Sequence, residues 1–212
     1  MRAIQLTVAC VAATLALTSS SYAAVILQNA PTGGSISTFG VPDSMTYGQV
    51  FTAPVTGTLD SFTLYLDGGV GALHGAVGVW NGTSTFGFGF GESSNLYTSA
   101  SVPSLGGGPY TFSPNVNVVA GQQYVAYISV FGEPLANATT SMPLGTNVSG
   151  IDYFVWNNSS NPQNNPSWNY FADFGDAQFS ATFSEAPEPS SLAIFGIGAC
   201  LAGVWAARRR RI

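Results

Sequence analysis

Between residues 58 and 66 the chain alternates, with Leu59, Ser61, Thr63 and Tyr65 on one face of an extended segment and Asp60, Phe62, Leu64 and Leu66 on the other. The second set is the more apolar, and a period of two marks a half-buried strand. Residues 46–53, rich in β-branched and aromatic side chains, predict another strand, and Pro54 and Gly57 predict a turn joining the two as antiparallel neighbours. Further strands are predicted at 76–81, 85–90, 95–100, 110–112, 122–131, 151–156 and 177–183. No stretch of this central region has a convincing helical period. Short strands separated by Gly, Pro, Asn and Ser turns predict an all-β fold, an antiparallel two-sheet sandwich with a jelly roll as the preferred topology.

Alternation also sorts the aromatic residues. Trp156 shares a strand face with Phe154 and is expected in the core, as is Trp80 at the end of its strand. Residues 157–167 read as a long polar loop, so Trp168, following Pro166 and Ser167, is expected at the surface. Flat rings beside amide side chains suit sugars, which present apolar faces and hydroxyls that both donate and accept. Trp168, Tyr170 and Asn165 are therefore the expected contacts if extracellular polysaccharide is the ligand.

The two ends follow a different pattern. Met1 and Arg2 precede an apolar run, Ile4 to Leu17, and Ser21-Tyr22-Ala23 supplies the small residues read by signal peptidase, with cleavage expected between Ala23 and Ala24. At the other end Pro187, Glu188 and Pro189 lead into an apolar run at 192–207 and then Arg208, Arg209, Arg210 and Arg211. As a helix, this run would reach about 24 Å, short of the roughly 30 Å hydrocarbon core, which makes it a marginal membrane span. Adjacent arginines resist translocation and hold that end in the cytoplasm, leaving everything before the run outside. The expected organisation is a signal peptide at 1–23, a β-sandwich at 24–184, an extended linker at 185–191 and a membrane helix at 192–212.

An N-terminal signal, a Pro-Glu-Pro motif, a short apolar helix and a basic end together resemble the PEP-CTERM sorting signal of Gram-negative bacteria. The resemblance implies an inner-membrane intermediate, recognition by exosortase, a membrane cysteine protease, cleavage near Pro187, Glu188 and Pro189, and then release or transfer to the cell surface. The catalytic residues for that step would belong to the processing enzyme. Within the central region, the phrases GQVFTAPVTGTLDSFTLYLDGG, VGVWNGTSTFG, NLYTSA, AGQQYVAYISV and DAQFSATFS resemble a recurrent exported all-β domain that precedes such signals. That second resemblance implies no established chemistry.

Charge narrows the function classes. Residues 24–184 contain no lysine or arginine, but carry Asp43, Asp60, Asp67, Glu92, Glu133, Asp152, Asp173 and Asp176, a formal charge of −8. A domain without cations cannot neutralise phosphates, so nucleic acid is excluded as a partner. Dispersed, solvated carboxylates keep such a protein soluble. No resident cofactor is expected. Were calcium to bind, Asp173 with Asp176 is the first pair to consider, and Asp60 with Asp67 the second.

Both cysteines, Cys10 and Cys200, lie in the terminal segments, so the mature domain is expected to fold without a disulfide or thiol chemistry. His74 is the sole histidine and lies in a glycine-flanked stretch, 71–75, that reads as an exposed turn. A catalytic triad through His74 is disfavoured on that ground, and no Gly-x-Ser-x-Gly elbow is present. The sequence therefore favours a non-enzymatic exported protein with a structural or adhesive task, with a carbohydrate-binding module and a small glycan-active enzyme as the other readings.

Overall fold

The computed structural model describes residues 24–82, 91–134, 137–158, 161–170 and 175–186. The predicted strand at 85–90, the signal peptide, Asp173 and the segment from Pro187 onward lie outside them.

The described strands are β1 (Ala24–Gln28), β2 (Pro31–Gly40), β3 (Thr46–Thr52), β4 (Gly57–Leu66), β5 (Gly71–Asn81), β6 (Gly91–Thr98), β7 (Val102–Ser104), β8 (Gly108–Phe112), β9 (Val116–Val118), β10 (Gln123–Ser129), β11 (Thr139–Gly145), β12 (Ile151–Asn157), β13 (Asn169–Tyr170), β14 (Asp176–Ala177) and β15 (Phe179–Glu185). They form one compact unit, Ala24–Glu185. One sheet runs β1-β15-β4-β8, with β9 also on β4, and a second runs β13-β12-β3-β10-β5-β6, with β7 on β5. A small third sheet, β14-β11-β2, completes the unit.

The topology follows from four antiparallel pairs. β1 pairs with β15, β3 with β10, β4 with β8 and β5 with β6, nested like the two arms of one long hairpin folded over itself. Such winding of eight strands into two facing four-stranded sheets defines a jelly roll. The strands β12 and β13 widen the second sheet beyond β3.

This arrangement alters the expected relation between β3 and β4. They belong to different sheets, so Pro54 and Gly57 bound a crossover between layers and not a hairpin turn. The alternation of β4 is also interrupted. Its partner β15 skips Asp60, pairing Thr182 with Ser61 and Phe183 with Leu59. This bulge turns Leu59 to the same interior as Phe62, Leu64 and Leu66, all buried.

The main core lies between the two large sheets. Phe51 of β3 stacks on Phe179 of β15 at 5.5 Å, with Tyr124 at 5.9 Å and Phe183 at 6.0 Å. Phe112 of β8 meets Phe62 at 5.2 Å and also lies over Gly75 of β5, where a Cβ would fall 2.4 Å from its ring. Gly75 is therefore a strand residue that admits an aromatic ring from the facing sheet. Consequently β5 begins at Gly71, and the stretch expected to be a turn around His74 is strand.

A second, smaller cluster covers the outer face of the wider sheet, formed by Val50, Ala76, Trp80, Val125, Tyr127, Tyr153, Val155 and Trp168. The polar loop after β12 folds back over it, as a satellite cluster under a long loop. Among the described residues no buried side-chain nitrogen or oxygen lacks a hydrogen-bond partner.

Candidate functional site

The expected glycan contacts sit on that outer face. Trp168 is 4% exposed, with its ring 5.1 Å from Tyr127 and 5.9 Å from Trp80. Its Nε1 donates to Pro162 O at 3.3 Å. The surface expectation for Trp168 is thus corrected: the indole fills a groove between β5 and β10 residues and anchors its own loop. Tyr170, on β13, is half-buried against Tyr153 at 4.5 Å. Asn165 is half-buried, donating Nδ2 to Asn161 O at 2.8 Å and accepting Ser167 N at 2.8 Å. These two bonds of its amide organise the loop.

Glu92, 1% exposed, fastens the loop from beneath. Its carboxylate accepts the backbone N–H of Asn164, Asn95 Nδ2 at 3.0 Å and the Tyr127 hydroxyl at 3.3 Å. Burial raises the Glu92 pKa against the lowering effect of these donors. Burial and the Glu92 charge likewise raise that of Tyr127, keeping its hydroxyl protonated. Gly91 lets the loop pass, since a Cβ there would meet Asn165 O at 2.1 Å.

His74 is buried, contrary to the exposed turn expected for it, and its Nδ1 lies 2.8 Å from Glu133 Oε1. Ser101 donates its hydroxyl to the other oxygen, Oε2. In a catalytic triad the imidazole stands between serine and acid. Here the acid stands between serine and imidazole, so these bonds tie β5 to the loop after β10 and do not activate Ser101.

Asp176 is buried at 4% exposure and accepts Gln49 Nε2 at 3.0 Å, while Gln49 Oε1 accepts the Ala177 N–H at 2.8 Å. Burial, opposed by that bond and helped by the nearby Asp152 charge, pushes the Asp176 pKa up to about 6. Asp152 takes Thr52 Oγ1 at 2.8 Å and Gln123 Nε2 at 2.9 Å. The alternative pair, Asp60 and Asp67, is separated by most of β4, about 23 Å along a strand, which rules out one shared ion. Each carboxylate instead accepts a serine hydroxyl, Asp60 from Ser184 and Asp67 from Ser141. Among the described residues no group of three or more His, Cys, Asp and Glu is gathered to hold a metal.

A pocket of ≈ 160 Å³ opens where the β2–β3 connection crosses the inner face of β12. Asp152 is skipped in the pairing of β12 with β3, and this bulge brings both Ile151 and Phe154 inward. Alternation then places Trp156 beside Phe154, their rings 5.9 Å apart and nearly parallel at 14°. Tyr47 meets Phe154 edge-on at 4.9 Å. Ser44, Asp43, Thr38 and Ser37 provide the polar wall. Ser44 Oγ donates to Asn158 Oδ1 at 2.9 Å, and Thr38 Oγ1 donates to Asp43. Tyr47 is pushed up to about 12, first by burial, so it remains a neutral phenol. Trp156, assigned to the core by alternation, is half-buried and packs against the core while lining this pocket. Nothing in the sequence showed that residues 43 and 44 would line a pocket with Trp156.

A jelly roll whose last strand continues directly into a proline-flanked, apolar, arginine-ended tail has the make-up of an exported domain with a C-terminal address. That address is a PEP-CTERM protein-sorting motif, whose family model matches residues 185–211. It marks the protein as an exported one of the kind that exosortase processes, destined for the cell envelope or surface. No curated protein and no solved structure matches the chain. Among the described residues no helix is long and apolar enough to cross a membrane. The apolar run at 192–207, the motif residues Pro187, Glu188 and Pro189, and the four arginines from Arg208 lie outside those residues.

Proposed function

We propose that the protein is a non-catalytic jelly-roll module of the cell surface or extracellular matrix, with a structural or adhesive task. The observation that carries this reading is the join itself: the sorting motif begins at residue 185, the last residue of β15, so the whole sandwich travels as its cargo. Signal peptidase acts between Ala23 and Ala24, the run at 192–207 holds the inner membrane transiently, and exosortase acts near Pro187 to Pro189. The cation-free surface supports the reading, since it keeps the module soluble and repelled by nucleic acid and anionic lipid. The polar clusters of His74, Glu92 and Asp176 support it too, because the bonds described for them bind one part of the fold to another.

The test is the intact mass of the protein from its producing cells, with membrane, surface and medium fractions kept separate, alongside matrix cohesion in a strain lacking the gene. A species running from Ala24 to the neighbourhood of Pro187–Pro189, with a weakened matrix in the deletion strain, is expected. A species retaining 192–212 found only in membranes would overturn processing, and an unaltered matrix would overturn the adhesive task.

A second reading, a carbohydrate-binding module, is favoured by the aromatic and hydroxyl lining of the pocket beside Trp156. A small glycan-active enzyme is the third, tested by turnover on a glycan panel that disappears when one carboxylate is replaced.

A further inference from the structure

We propose that the pocket between the β2–β3 connection and β12 is a saccharide subsite that takes one neutral sugar ring of a matrix polysaccharide. The proposal rests on the adhesive reading above and gives it a location away from Trp168.

The lining divides into two kinds of surface. Tyr47 and Phe154 are buried rings at its base, and Trp156, stacked on Phe154, is half-buried at its side. Such faces suit the C–H face of a pyranose. Opposite them Asp43, Thr38 and Ser44 bring a carboxylate and two hydroxyls. Asp43 is exposed and accepts Thr38, a bond that uses only part of the roughly four acceptor positions of a carboxylate. A carboxylate accepting from neighbouring sugar hydroxyls is a charge-assisted, directional contact.

Size and charge narrow the ligand. At ≈ 160 Å³ the pocket is smaller than the roughly 300–1,000 Å³ of clefts for drug-sized ligands, so it holds one ring and not a long segment of chain. Uronates and sulfated sugars would meet Asp43 with no lysine or arginine anywhere in residues 24–184 to compensate, so the ring is neutral. A one-ring contact is weak alone, and many displayed copies on one polymer would multiply it through effective concentration.

The test uses full-length protein in detergent, titrated with glucose, galactose, mannose and glucuronate and followed by tryptophan fluorescence and saturation-transfer NMR. Saturable binding of at least one neutral hexose, at least tenfold weaker for glucuronate, is expected. Trp156→Ala and Asp43→Asn should each weaken it at least tenfold. Asp43→Asn should melt at the wild-type temperature, which guards against a Trp156→Ala variant that misfolds. Binding unchanged by Asp43→Asn, or no saturable binding of any neutral hexose, would overturn the site. Placing Asp43→Asn in the producing strain separates the two readings: a weak matrix in the deletion strain with a normal one in Asp43→Asn sinks the site alone, whereas a normal matrix in the deletion strain sinks the adhesive task.

Discussion

Glu92 lies directly against Gly78 of the neighbouring strand, so closely that a Cβ at residue 78 would fall 2.1 Å from Glu92 Oε1. The absent side chain is the space in which the buried carboxylate reaches Tyr127, Asn95 and the backbone of Asn164. Gly78→Ala should therefore displace Glu92 and loosen the loop it holds, at about 1–3 kcal/mol of stability by the usual cost of overpacking. Chemical unfolding measures the loss, and a red-shifted tryptophan emission should accompany it as Trp168 gains water.

Trp168 is a structural anchor, and its removal should show as lost stability. Trp168→Ala should cost about 3–5 kcal/mol, typical for deleting a buried aromatic ring. A melting temperature equal to wild type would contradict the packing on Trp80 and Tyr127.

Two buried carboxylates give the domain an acidic preference. Asp176 has a folded pKa of about 6, above the 3.8 of an unburied aspartate, and Glu92 is shifted in the same direction. A pKa raised by folding adds stability that is fully present below the unfolded value and is lost as pH rises through the folded value. Asp176 should thus cost the domain stability progressively between about pH 4 and 6, up to about 2–3 kcal/mol above that window. Unfolding midpoints at pH 5 and pH 8 check the sign, with the lower pH giving the more stable protein. Asp176→Asn keeps an acceptor for Gln49 and should flatten most of that dependence.

His74 and Glu133 join β5 to the loop after β10. His74→Ala leaves Glu133 without this donor in a poorly hydrated place, at about 1–3 kcal/mol. Hydrogen exchange should locate the loosening at residues 131–134.

Most of this architecture could be read from residue patterns, and the departures have physical causes. Alternation located β4, whereas β-branched and aromatic content located β3, β10 and β12, whose two faces are both largely buried. Neither revealed β2, where Pro31, Gly33 and Gly34 read as loop, or β11, where Pro143 interrupts a Thr-Ser-Met run. Those strands are held by pairing with each other and not by a continuous apolar face. The glycines around His74 suggested a turn because a single sequence cannot show that Gly75 lies under Phe112 from the other sheet. The same limit moved Trp168 inward: its partners Trp80 and Tyr127 come from strands far away in the chain, and only the assembled sheet creates the groove between them. The processing motif was the most legible part, since an enzyme must recognise it from local sequence.

Ala24 pairs with Ser184, and the neighbouring pairs run to Gln28 with Ser180. A chain exported from its N-terminus delivers β1 to the far side of the membrane long before β15 arrives, and contacts so distant in sequence are slow to close. The sheet that carries β1 stays unfinished until β15, the last of the described strands, has emerged. That strand runs directly into the sorting motif. Folding and addressing therefore come due at the same moment, and a processing enzyme that waits for the motif meets a domain newly able to close.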